Sequence, residues 1–218
     1  MKASLTAAIS AVAAALLLAA PTSNALLPSI SPGDRIDYIS DHQSQTFCTL
    51  GYVYTGPDDH VYGVTAGHCQ PDMPGYMRDQ NSGTRGTFVR ATVAPDHTGG
   101  PDYGLIDFGR RVMAVPFIGN TPVSSDTVPT PRLGQTICHT GVSSGEHCGT
   151  IARTYGADQY LTTGMPASIG GDSGGPVWYR DDSGAAHVLG IWLGEKTGSA
   201  GERFGRFAAL TRGLAALT

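Results

Sequence analysis

The sequence predicts an all-β protein in two similar-sized halves, each a β-barrel or sandwich, ending in one short C-terminal helix. Three observations predict it. Thirty glycines and fourteen prolines in 218 residues are too many for a helical bundle and suit short strands separated by turns. Short runs of aromatic and β-branched residues recur along most of the chain, bounded by Gly, Pro and Asp clusters. Between residues 119 and 133, Pro122, Pro129 and Pro131 stand among serines and threonines as a linker that divides the strands into two sets. Each set must bury one face against another layer, which two barrels or sandwiches accomplish.

In chain order, residues 1–25 read as a cleaved export signal. Lys2 supplies the positive start, Leu5 to Ala20 the apolar run, and Ser23-Asn24-Ala25 the small cleavage residues. That run is short and alanine-rich for a bilayer span, which sets a membrane anchor aside. Residues 26–45, with Pro28, Pro32 and Gly33, form an extended N-terminal arm with room only for a short pro-segment. The first half, 46–118, holds a hairpin of Thr46–Tyr54 and His60–Ala66 around Gly56-Pro57-Asp58-Asp59. A loop over 70–86 follows, then strands Thr87–Ala94 and Asp102–Phe108 and a closing piece, Val112–Ile118. The second half, 134–218, repeats the style in Thr136–Thr140, Cys148–Tyr155, Tyr160–Thr163, Gly175–Tyr179 and His187–Leu193. Phe207–Leu217 (FAALTRGLAAL) reads as the helix, despite Gly213.

Charge and cysteines bound the partners. With Lys+Arg 14 against Asp+Glu 18, the net charge of −4 attracts neither nucleic acid nor an anionic membrane. An even cysteine count in an exported chain (Cys48, Cys69, Cys138, Cys148) implies two disulfides. Of the three pairings, Cys48–Cys69 with Cys138–Cys148 closes one loop in each half. There is no C-x-x-C and no H-E-x-x-H, so neither a metal nor another cofactor is expected.

The chemistry centres on Gly170-Gly171-Asp172-Ser173-Gly174-Gly175-Pro176-Val177. Glycines permit a tight exposed turn that presents the Ser173 hydroxyl and aims the Gly171 and Ser173 N–H groups at one point, as an oxyanion requires. The same residues also make ordinary loops, so the turn needs a base and an orienter elsewhere. His68 is the base candidate. It ends the apolar run Val64-Thr65-Ala66-Gly67 beside Cys69, which sets it above the other six histidines. Asp102 opens an apolar strand after Gly99-Gly100-Pro101 and is the orienter candidate, with Asp107 the in-strand alternative.

These residues occur in the order His, Asp, Ser, and in this respect the chain resembles the chymotrypsin-like clan of serine peptidases. The matching motifs are Val64-Thr65-Ala66-Gly67-His68-Cys69, Asp102-Tyr103-Gly104-Leu105-Ile106 and Gly171-Asp172-Ser173-Gly174-Gly175-Pro176. Within the clan it is most similar to the secreted bacterial streptogrisin and α-lytic group. Ile30 to Asp34, Cys48 to Tyr52, and Cys138 to Gly141 with Gly145 to Ile151 resemble that group's mature start and its two cysteine regions. The resemblance implies two antiparallel six-stranded β-barrels with the active site between them. It implies a secreted, monomeric endopeptidase acting on peptide or protein substrates. His68, Asp102 and Ser173 would form the triad, with Gly171 and Ser173 as the oxyanion hole.

Three departures stand out. The pro-region is far shorter than the group's folding-assistant domain. Where the bacterial relatives place an arginine to pair with the acid of the turn, this chain has His139, so an Asp172–His139 pair is expected to support the oxyanion turn. Around the specificity pocket, Ala167 and Ser168 take the positions where trypsin-like members carry an acid, while Leu193, Gly194 and Glu195 form the wall. The serine expected before the substrate-pairing glycine is missing, and so is a third disulfide. Two other functions fit the same fold: a cleft that binds with little or no cutting, and an esterase using the same triad.

Overall fold

The computed structural model describes residues 26–95, 98–124 and 127–217; the export signal expected over 1–25 lies outside them. The first half runs through β1 (Ser29–Ile30), β2 (Arg35–Ser40), β3 (Gln43–Thr49), β4 (Tyr52–Thr55), β5 (Val61–Thr65), β6 (Tyr76–Asp79), β7 (Arg85–Val93) and β8 (Asp102–Asp107). The short strands β9 (Met113–Ala114), β10 (Phe117–Ile118) and β11 (Thr121–Pro122) lead to β12 (Thr136–Gly141), β13 (Gly145–Tyr155), β14 (Gln159–Thr163), β15 (Pro176–Arg180), β16 (Ala186–Thr197) and β17 (Arg203–Ala209). Helix α1 (Leu210–Leu217) ends the chain.

The second half is a closed barrel in the order β12-β13-β14-β17-β16-β15, and the first is a seven-stranded sheet in the order β3-β2-β6-β7-β8-β5-β4. The sheet's two edge strands are consecutive in the chain, joined by Leu50 and Gly51 alone. Leu50 N–H donates to Asp34 O on one side, and Gly51 N–H donates to Val64 O on the other. One bent strand, 43–55, therefore belongs to both ends, and the sheet rolls until its edges meet. This is how an all-antiparallel sheet removes its exposed edges. The fold is the all-β, two-barrel, helix-ended architecture expected from the sequence.

Alternation along the strands builds the cores. Ile36, Tyr38, Leu50, Val53, Val64, Met77 and Ile106 fill the first barrel, in a cluster that runs on through Trp178, Val188 and Ile191 of the second. A second cluster of Ile137, Ile151, Val177, Leu189, Trp192 and Phe207 fills the interior of the closed barrel. Helix α1 buries Leu210, Gly213 and Leu217, a three-to-four-residue stripe. It returns to the first half, where Gly213 lies against the ring of Tyr103 and Tyr103 Oη donates to Ala209 O at 2.9 Å. The C-terminus thus braces the start of β8, the strand that Asp102 opens.

Several elements differ from expectation. The arm over 26–45 contains β2 and the start of β3, and the loop over 70–86 contains β6. In β2 every residue from Ile36 to Ser40 is buried, and the strand pairs with β3 along one edge and β6 along the other. A strand covered on both faces loses the alternation that marks strands in sequence. The helix expected from Phe207 starts at Leu210 instead. Phe207, Ala208 and Ala209 pair with Trp192, Ile191 and Gly190, so ladder partners overrode an apolar run compatible with either period.

Candidate active site

His68 sits in a single 3-10 turn, Gly67–Cys69, that ends β5. Its backbone N–H donates to Asp102 Oδ1 at 3.0 Å and its Nδ1 lies 2.8 Å from Asp102 Oδ2. Burial, the largest influence on the Asp102 carboxyl, raises its pKa; the hydrogen bonds and charge of His68, with the charge of Arg206, outweigh it and hold the group below its ordinary value. The carboxylate is thus an acceptor only, so Nδ1 carries the hydrogen and donates, and Nε2 is the free basic position. The in-strand alternative, Asp107, pairs with His60 instead, 2.9 Å from its Nδ1.

Ser173 arrives from the second barrel. Gly171 and Gly174 in its turn have φ of +101° and +87°, the left-handed region that favours glycine. A Cβ at Gly174 would collide with Thr65 Oγ1 and Thr49 O of the first barrel. One residue of β3 clamps the turn. Thr49 N–H donates to Ser173 O at 2.8 Å, and its hydroxyl donates to Gly171 O at 2.8 Å while accepting from Val142 N–H at 3.0 Å. Thr49 is fully buried. The Cys48–Cys69 disulfide ties the histidine turn to the same strand, and Cys69 Sγ lies 4.0 Å from Ser173 O. His68 and Ser173, 105 positions apart, are thereby held on adjoining residues. Their side chains are not hydrogen-bonded to each other. Among the described residues the N–H groups of Gly171 and Ser173 have no acceptor. Sequence reading missed Thr49; its only signal was its place beside Cys48.

The Asp172 support differs from expectation. The carboxylate is fully buried and accepts from Ser143 N–H and Ser144 N–H at 3.0 Å each and from Ile169 N–H at 3.1 Å. Three backbone donors stabilise the charge, so the expected pair with His139 does not form. His139 stacks on Trp192 instead, with ring centroids 4.0 Å apart and planes 6° from parallel, and its Nδ1 is buried without a partner. Burial pushes its pKa down to about 4, against the opposing charge of Asp172 and with a smaller lowering from His147. It is a neutral packing residue.

The expected pocket residues separate into two groups. Ser168 N–H donates to Glu195 Oε1 at 2.9 Å, and Gly194 lies beside Ser168 Oγ, while Ala167 is exposed. Leu193 turns to the other side because it is the extra residue of a bulge: Trp192 pairs with Phe207 and Gly194 with Arg206. It lines a cleft of about 190 Å³ with His68, Asp102, Gln159, Arg206 and the 93–95 stretch. Arg206 Nε and Gln159 Oε1 are buried there without partners among the described residues. The second disulfide, Cys138–Cys148, joins facing residues of β12 and β13.

No family model matches the chain. A curated relative, the "uncharacterized protein Rv1815" of Mycobacterium tuberculosis, is 30% identical over 161 residues, 69% of this chain and 69% of that protein. Among solved structures, protease A of Thermobifida fusca superposes with a TM-score of 0.62 at 20% identity, covering 86% of this chain and 95% of its own. A Nocardiopsis protease superposes with a TM-score of 0.61 at 20% identity, covering 87% and 96%.

Proposed function

Because the chain belongs to the family of the mycobacterial protein Rv1815 and has the fold of the bacterial chymotrypsin-like serine proteases, we propose that it is a secreted serine endopeptidase. His68, Asp102 and Ser173 act as its triad. The observation that carries this reading is the paired hydrogen bonding of Asp102 to the His68 backbone and ring, beside a serine turn clamped to the strand that anchors the histidine.

The reaction follows from these positions. His68 Nε2 accepts the Ser173 proton as Oγ attacks an amide carbonyl carbon. Asp102 holds the ring in the Nδ1–H tautomer and stabilises the imidazolium that forms. The carbonyl oxygen becomes an oxyanion and takes hydrogen bonds from the uncommitted N–H groups of Gly171 and Ser173; removing one such donor costs roughly 10²–10³ in turnover. The C–N bond breaks as His68 returns the proton to the leaving amine. Water, deprotonated by His68, then attacks the acyl-enzyme and restores the Ser173 hydroxyl. The contact between histidine and serine tightens when substrate is present.

The cleft beside His68 supports a peptide substrate. It opens beside the base and its orienter, lined by His68, Asp102, Gln159, Leu193 and Arg206. The two disulfides support an oxidising, extracytoplasmic destination.

A fluorophosphonate probe tests the reading. The folded chain should be labelled at Ser173, by displacement of fluoride, while Ser173→Ala and His68→Ala remain unlabelled and do not cleave peptides. A folded wild-type chain that resists the probe would overturn it.

A further inference from the structure

The space between Ser168 and β16, where the sequence places the primary specificity pocket, is filled by a side chain of the protein itself. One wall is the segment leading into the turn, with Ser168; the other is β16 beyond Trp192, with Gly194 and Glu195. The indole of Trp192 lies between them with none of its surface exposed. Its Nε1–H donates to Ser168 Oγ at 3.1 Å, which ties it to the first wall. One ring face stacks on His139 at 4.0 Å between centroids. The far edge reaches β17, where a Cβ on Gly205 would collide with Trp192 Cη2 and Cζ3. That glycine is the close approach that lets the ring seat fully. Across the mouth, Ser168 N–H is hydrogen-bonded to Glu195 Oε1, whose carboxylate lies 3.6 Å from Arg203 Nη1.

We propose that Trp192 is the specificity-determining residue of this site. It closes the primary pocket, so that the peptidase accepts only glycine or alanine on the acyl side of the scissile bond. This rests on the peptidase reading above and names its substrate class. A hydrogen or a methyl group needs no pocket. A phenyl or isobutyl group needs the volume that the indole occupies. The indole cannot step aside without giving up its stacking partner and its hydrogen bond, and close-packed interiors respond poorly to added volume. Selection among longer features of the substrate then passes to the cleft lined by Leu193 and Arg206.

Two peptide boronic acids, identical except for alanine or phenylalanine at the boron-bearing residue, test this on the wild-type chain once fluorophosphonate labelling of Ser173 is established. The alanine compound should bind at least roughly 100-fold more tightly, the upper range for discrimination by pocket size. Trp192→Val should reverse the order, and a peptide library should show cleavage after leucine and phenylalanine only in that variant. A wild-type chain that is labelled at Ser173 yet binds both compounds equally, or cleaves after phenylalanine, overturns the closed pocket alone. A chain that is not labelled overturns the peptidase reading, and this inference with it. Should Trp192→Val fail to fold, the wild-type comparison still decides.

Discussion

Thr49 holds the two halves of the site together at the scale of single residues. Its hydroxyl bridges Gly171 O and Val142 N–H, and its amide holds Ser173 O. Thr49→Val keeps the shape and removes the bridge, leaving a buried acceptor and a buried donor unpaired. The expected cost is roughly 1–3 kcal/mol of stability, read from denaturant unfolding. Fluorophosphonate labelling of Ser173 should slow as the turn loosens, and Thr49→Ser should restore both. Asp172 teaches a related lesson. A buried carboxylate needs compensation, and the resemblance pointed to His139, which stands at the arginine position of the bacterial group. Backbone N–H groups of Ser143, Ser144 and Ile169 supply it instead. Backbone donors carry no sequence signature, so this partner was not legible.

The two disulfides constrain different elements. Cys48–Cys69 spans 21 positions and Cys138–Cys148 spans 10, and loop closure assigns each roughly 3 kcal/mol. Their effects on chemistry should separate. Replacing Cys48 and Cys69 by serine frees the turn bearing His68 and should depress kcat/KM beyond the loss of stability. Replacing Cys138 and Cys148 by serine weakens a ladder already paired strand to strand and should leave kcat/KM within a few-fold. Thermal melts and peptidase assays on the two double variants, compared at equal folded fraction, check this. Strands such as Val61–Thr65 and Asp102–Asp107 were legible, although almost wholly buried, from their short apolar runs and the turn residues that bound them. Strands β2 and β6 were not: both were assigned to polar or proline-marked segments, and they pair with each other although β3, β4 and β5 separate them in the chain.

Over the whole molecule, pH acts through buried groups in opposing directions. An unfolded histidine binds its proton near 6.5, but His139 in the folded chain binds one only near about 4. Between those values the unfolded chain binds more protons, so this residue's contribution to stability falls as pH is lowered. The Asp34 carboxyl is pushed up to about 6, first by burial, with a hydrogen bond from Ser31 opposing, the charge of Asp79 adding and a hydrogen bond from Asn81 opposing. The folded chain therefore keeps that proton longer, and its contribution falls as pH rises from 3.8 through about 6. The two partly cancel in the wild type. The difference between His139→Phe and wild type isolates the histidine. It should move in favour of the variant by roughly 3 kcal/mol between pH 7 and pH 4, measured by urea unfolding at each pH. No change in that difference would show that His139 takes up its proton as freely folded as unfolded.

The sequence by itself determined the fold class, the two sets of strands, the near-neighbour cysteine loops, and the candidacy of His68, Asp102 and Ser173. Those features rest on local chemistry: turn residues, apolar periodicity, and short motifs whose residue types the reaction requires. Only the tertiary structure decided what surrounds them. It joined Thr49 to the turn bearing Ser173, put backbone donors rather than His139 behind Asp172, sent Leu193 through a bulge into the neighbouring cleft, and seated the buried Trp192 against Ser168 and His139. Each of these depends on which distant backbone passes within a few ångströms, a quantity fixed by barrel closure and close packing rather than by any stretch of neighbouring residues.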